Sequence, residues 1–144
     1  MNTRFGNLDT REEESGEYLL LADFSNDDEV LGQVVAKKGF RTNYASIDVL
    51  KNIMLFAFYA LLVKYGDKSA TSHDWLYTGY GVTKADGTIY YPTRKECDEF
   101  FYRSLLAEGV GKLRAKLFYW GVRVGGHKHY APGPVLWQDG MLEA

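Results

Sequence analysis

The stretch Pro92-Thr93-Arg94-Lys95-Glu96 leaves the chain little choice but to begin a helix. The hydroxyl of Thr93 is placed to accept from the amide three residues on, and the carboxylate of Glu96 to reach back to the amide of Thr93. Two of the donors that every helix start leaves open are then satisfied reciprocally. A proline just ahead of the threonine suits the entry, and Gly109 marks the end of the helix. Other helices are placed around this one. The longest apolar run, Ile53 to Val63 (IMLFAFYALLV), sits in a helix read from Asp48 to Tyr65 and stopped by Gly66. It is well short of the roughly 20 residues that cross a bilayer, so it reads as a buried helix rather than a transmembrane segment. A helix opening at Asp67 or Ser69 carries His73 and Tyr77 one turn apart on one face. A last helix, about 111–124, has Leu113, Leu117, Trp120 and Val124 at helical spacing and its basic residues largely elsewhere, which makes it amphipathic.

Strand signals are fewer. EYLLLADF (17–24) and EVLGQVVA (29–36) are rich in strand formers and separated by SNDD, a turn-forming tetrad, so they read as a hairpin. TGYGVTKADGTIYYP (78–92) alternates about Asp86-Gly87 and reads as a β-ribbon inserted between helices. The expected architecture is therefore α+β and mainly α: a helical core with an N-terminal β-hairpin and a small inserted β-ribbon. Residues 1–16, with Glu12, Glu13 and Glu14 and no apolar period, are expected to be a flexible acidic arm. Residues 17–126 are expected to form one globular domain, and 127–144, beyond Gly125-Gly126, an extended C-terminal tail.

A chain of 144 residues can bury a real core without metals or disulfides. The net charge of −2 supplies no general field for nucleic acid or an anionic membrane, and no nucleic-acid partner is expected. The single cysteine, Cys97, excludes an intramolecular disulfide and suits a reducing compartment. The N-terminus has no apolar segment of the kind that marks a signal peptide, so synthesis in a cytoplasm is expected.

The chemistry-bearing candidates converge on His73. An imidazole becomes an effective base when a carboxylate fixes its tautomer and stabilises its charged form. Asp74, next in the chain, points about a quarter-turn away on a helix, better placed for a metal or a cap. Asp98, near the start of the Thr93 helix, reaches the ring if the two helices pack antiparallel. Tyr77 either orients Asp98 through its hydroxyl or is ordinary core with a wet tip. The plain alternative is a His–Asp contact that satisfies two polar groups between packed helices and does no chemistry. Cys97, beside Phe100 and Phe101, reads as an inert buried thiol. His127 and His129 have the spacing of a metal pair on a strand but no evident third ligand.

Taken in order, GFRTNYAS (39–46), SATSHDWLY (69–77), TRKECDEFFYRSLLAEGV (93–110) and AKLFYWGVRVGG (115–126) resemble a phage-encoded family of unknown function. Asn43 stands where that family usually has aspartate, and Asp48 where it often has proline. The helix pattern of Asp67, His73, Asp74 and Tyr77, with Asp98 opening a later helix, is also similar to that of secretory and parvoviral phospholipases A. That resemblance implies that His73 activates a water, Asp98 orients His73 and Tyr77 braces Asp98. It also implies that Asp74 binds a calcium ion that polarises the ester carbonyl, with Asn43 as a further ligand. Together the two resemblances imply a virion-associated protein of the phage tail or neck, made in the host cytoplasm, that hydrolyses lipid esters of the host envelope. The alternative they leave open is a purely structural or assembly component whose partners are other phage structural proteins.

Overall fold

A computed structural model describes residues 4–15, 17–42 and 66–138 of the chain. The helix expected over 48–65 lies outside the described residues. In chain order the elements are β1 (Thr10–Glu12), β2 (Tyr18–Leu20), β3 (Phe24–Asp28), β4 (Gly32–Ala36), β5 (Arg41–Thr42), α1 (Asp67–Tyr77), β6 (Val82–Thr83), β7 (Ile89–Tyr90), α2 (Arg94–Ala107) and α3 (Lys112–Gly125). A single 3-10 turn, Gly126–Lys128, follows. The strands form three small antiparallel sheets, ordered β1-β2-β5, β3-β4 and β6-β7.

This corrects the expectation of a mainly α protein with a helical core. Seven strands accompany three α-helices among the described residues, in proportions of 37% helix and 23% strand. The core has two parts. In one, Leu20, Phe24, Val34 and Phe40 from the strand region meet Trp75, Leu76 and Phe100 from α1 and α2. In the other, Ala70, Phe101 and Leu105 meet Ala115, Phe118 and Val122, joining α1 to α2 and α2 to α3. The strands were under-read because they are short and because one of them carries polar residues inward.

That strand is β3. The SNDD tetrad, expected as a turn, is its body, and Glu29 to Leu31 make the turn into β4. The Asp28 carboxylate accepts from the amides of Val30 (3.1 Å) and Leu31 (2.9 Å), and Gly32 follows at φ 88°, so the turn chemistry sits three residues later than the composition suggested. Along β3, Phe24, Asn26 and Asp28 all face inward and are buried. Burial of the two polar side chains is offset by partners. Asn26 donates to Ser72 Oγ of α1 (3.1 Å) and Ser104 Oγ of α2 (3.0 Å) and accepts from Arg4 (2.7 Å). Asp28 accepts from Arg103 through both oxygens, at 2.9 and 2.8 Å, and from Arg4 at 2.9 Å. Burial alone would push the Asp28 carboxyl up; the Arg103, Leu31 and Arg4 donors hold it down at about 2.

Within the stretch expected to be an arm, Thr10–Glu12 pair with β2, Phe5 stacks on Phe24 at 6.5 Å, and Arg4 enters the β3 network. The ribbon over 78–92 is present as β6 and β7. Residues 84–88 join them, the Lys84 amide donating to the Thr88 carbonyl and the amide of Gly87, at φ 87°, to the Lys84 carbonyl. The capping box is complete: Thr93 Oγ1 accepts from the Glu96 amide at 3.1 Å, and Glu96 Oε1 from the Thr93 amide at 2.9 Å. Helix α3 rests on α2 through Ala115, Phe118 and Val122, so the face it buries is not the Leu113/Leu117/Trp120/Val124 stripe. The tail runs back over α1, the amides of Ala131 and Val135 donating to the carbonyls of Tyr77 and Gly79.

Helix α1 lacks a side-chain cap of its own. Glu108, just past α2, supplies one across the helix pair: both the amide and the hydroxyl of Ser69 donate to its Oε1, at 2.6 and 2.5 Å. Burial pushes the Glu108 carboxyl up to about 7, against the pull of the two Ser69 donors. Between its ordinary value of 4.5 and 7 the folded chain therefore holds a proton that the unfolded chain has released. The contribution of Glu108 to stability is present below that window and declines as pH rises through it. Urea denaturation at pH 5 and pH 8 should show a loss of about 1–3 kcal/mol from this group, and Glu108→Gln should flatten that difference.

Candidate active site

Helices α1 and α2 place His73, Tyr77 and Asp98 in one cluster. His73 and Tyr77 lie one turn apart on the inner face of α1, and Asp98 lies on the second turn of α2, whose start the capping box sets. His73 Nε2 is 2.8 Å from Asp98 Oδ1, and the Tyr77 hydroxyl donates to the same oxygen at 2.5 Å. An ionised carboxylate only accepts, so Nε2 is the donor in this contact. The other carboxylate oxygen, Oδ2, accepts from Arg123 Nη1 of α3 at 2.9 Å, with Arg94 Nη1 3.6 Å away. Both oxygens of Asp98 thus accept hydrogen bonds, from α1 and α3, and Arg94 of α2 adds an ion pair.

His73 and Asp98 are fully buried and Tyr77 nearly so. The His73 ring is stacked 4.6 Å from Phe101 and tilted 4.1 Å from Tyr77. Burial would push the Asp98 carboxyl up, but the hydrogen bond and charge of His73, followed by the Tyr77 and Arg123 bonds, hold it below its ordinary range. Burial and the Asp98 charge push the Tyr77 hydroxyl up, so it stays a donor. The same two causes push up the thiol of Cys97, which is buried beside Asp98 and stays protonated.

Asp74 turns away from this cluster. It is partly exposed, and its Oδ2 accepts from Thr42 Oγ1 of β5 at 2.5 Å. Asn43, the other expected calcium ligand, lies outside the described residues. Among the described residues no three His, Cys, Asp or Glu side chains gather where a metal would sit. Calcium takes six to eight oxygens, about 2.3–2.6 Å away, so Asp74 with Thr42 does not by itself make its site. A groove of about 480 Å³, lined by Trp75, Tyr80, Tyr91 and Trp137 with Gln33 and Lys37, takes in neither His73 nor Asp98.

The two arginines on Asp98 were not anticipated. Arg94 carried a readable signal, since it stands four residues before Asp98 on the same helix. Arg123 carried none, because its reach to Asp98 depends on how α3 lies against α2.

No curated protein and no solved structure is similar to the chain at a significant level. A family model described as "Protein of unknown function (DUF1353)" matches residues 18–122, a span that includes β2 to β7, α1, α2 and most of α3, and with them His73, Tyr77, Asp98 and Arg94. The chain belongs to this DUF1353 family.

Proposed function

We propose that this chain is a phage-encoded, virion-associated hydrolase of the tail or neck, with lipid esters of the host envelope as substrate and His73 as general base. The observation that carries the catalytic part is the Asp98 carboxylate, whose Oδ1 accepts from both His73 Nε2 and the Tyr77 hydroxyl while Oδ2 faces Arg123. This arrangement commits Nε2 to Asp98, and the proposed reaction uses Nδ1 as the nitrogen that takes a proton. The reaction requires the buried His73 ring to be uncovered to water and ester; Nδ1 then takes a proton from a water whose oxygen bonds to the ester carbonyl carbon. Asp98 stabilises the imidazolium so formed. As the tetrahedral adduct collapses, the carbon–alkoxide bond breaks and the proton passes from Nδ1 to the leaving alkoxide, giving a free acid and an alcohol. Tyr77 holds Asp98 in place and remains protonated throughout. The phage setting rests on the order of the four sequence motifs, and the calcium on Asp74 and Asn43 on the similarity of the histidine helix to that of the phospholipases.

The test is hydrolysis of a short-chain phosphatidylcholine by the wild type and by His73→Gln, each with calcium and with EDTA. The variant should lose about 10²- to 10⁴-fold in rate, the usual worth of a positioned general base, with little change in melting temperature. A wild type that is inactive in both conditions removes the hydrolase, and equal rates in calcium and EDTA remove the metal.

The complete burial of His73 and Asp98 favours a second reading, in which the cluster pins α1, α2 and α3 together in a structural or assembly component that docks on other phage proteins. In that case His73→Gln leaves no activity to lose and instead lowers stability by about 1–3 kcal/mol, the scale for an unsatisfied buried partner.

A further inference from the structure

Helix α3 is apolar on two opposite sides. On a wheel of about 100° per residue, Ala115, Phe118 and Val122 cluster on one side, and these are the residues buried against α2. Leu113, Leu117, Trp120 and Val124 fall within about 60° of arc on the other side. Leu113 is 74% exposed, Trp120 60% and Val124 68%, Leu117 between them is half-buried, and Leu106 of α2 is another exposed aliphatic. Isolated exposed apolar residues are ordinary, but a stripe running the length of a helix whose opposite face is already in the core is not.

The charges along this helix say what the stripe fits. Its sequence, KLRAKLFYWGVRVG, holds Lys112, Arg114, Lys116 and Arg123 and no acidic residue, in a chain whose net charge is −2. Arg123 is engaged by Asp98, while Lys112, Arg114 and Lys116 are exposed and flank the stripe. Glu99 of α2 lines the groove beside Trp120, together with Lys116 and Arg103. A second copy of the same helix would set basic flank against basic flank, which disfavours self-pairing. An apolar stripe with a tryptophan and flanking lysines and arginines is the pattern of a helix lying in a lipid interface. There the basic heads reach anionic headgroups while their stems cover apolar surface.

We infer that the outer face of α3 is a docking surface for an anionic lipid membrane, with Leu113, Leu117, Trp120 and Val124 entering the acyl boundary and Lys112, Arg114 and Lys116 meeting the headgroups. The inference names the lipid-facing surface for the proposed hydrolase, yet it does not need His73 to be catalytic. The two readings are therefore tested apart.

The experiment is co-sedimentation of the full chain carrying His73→Gln, so that no lipid is consumed, with vesicles of phosphatidylglycerol and phosphatidylcholine and with vesicles of phosphatidylcholine alone. The protein should pellet with the anionic vesicles, with its tryptophan emission shifted to the blue, and much less with the neutral ones, and salt at about 0.5 M, roughly threefold the physiological level, should release much of it. Leu113→Glu with Val124→Glu, at positions too exposed to threaten folding, should lower vesicle partitioning by about tenfold or more with the melting temperature unchanged. Absence of binding to anionic vesicles overturns the inference, as does equal binding to both vesicle types or full binding by the double variant. Binding by an acidic helical peptide without binding to vesicles would assign the face to a protein partner and overturn it too. Vesicle binding by a chain that hydrolyses no ester would leave the surface standing and remove the enzyme.

Discussion

Asp98→Ala should destabilise the chain by about 3–5 kcal/mol, the range for removing one partner from a buried ionic cluster. The carboxylate is fully buried and collects donors from His73, Tyr77 and Arg123, with Arg94 close by. Removing it leaves an imidazole and a phenol without their acceptor inside the core, and two guanidinium groups facing a cavity. Because the folded Asp98 carboxyl lies below its ordinary value of 3.8, its contribution is present above that value and is lost as pH falls through the folded one. Urea denaturation at pH 7 measures the effect. A loss below about 1 kcal/mol would mean that the orphaned donors find water, and that the cluster is less sealed than its burial indicates. Asp98→Asn separates the two roles of the group. It keeps the shape but cannot stabilise a charged His73, so any ester hydrolysis should fall much further than stability does.

The second large effect is at the other network. Asp28→Ala removes the acceptor for both Arg103 contacts and for Arg4, and strips the Val30 and Leu31 amides of their turn partner. The expected loss is again about 3–5 kcal/mol, with the β3–β4 hairpin released from α2. The pH dependence has a stated sign. The Asp28 carboxyl sits at about 2 when folded against an ordinary 3.8, so its stabilisation is complete above pH 4 and disappears as pH falls toward 2. That difference corresponds to about 2 kcal/mol. Asp28→Asn should abolish this acid-dependent part, and an acid-unfolding curve identical to that of the wild type would show that another carboxylate carries it.

Two features of this chain were readable because their causes are local. Thr93 and Glu96 satisfy each other across one helical turn, and His73 and Tyr77 share a face because four residues separate them. The antiparallel packing that would carry Asp98 to His73 was conditional in the sequence, and the α1–α2 contact supplies it. The β3 strand was misread for a definite reason. Ser25, Asn26, Asp27 and Asp28 have turn chemistry, and only Ser72, Ser104, Arg4 and Arg103, contributed from far along the chain, make it possible to bury Asn26 and Asp28. The mainly α expectation failed with it, since the strands that share the core are short and one is polar on its inner face.

By itself the sequence determined where α2 starts, where the β6–β7 ribbon turns, and which residues of α1 stand together, because each depends on bonds made within a few positions of the chain. Only the tertiary structure decided which face of α3 is covered, that Arg123 completes the Asp98 cluster, and that an aspartate and an asparagine belong in the core. Those outcomes turn on which distant groups arrive to satisfy a charge or cover a methyl group, and a one-dimensional pattern carries no term for that.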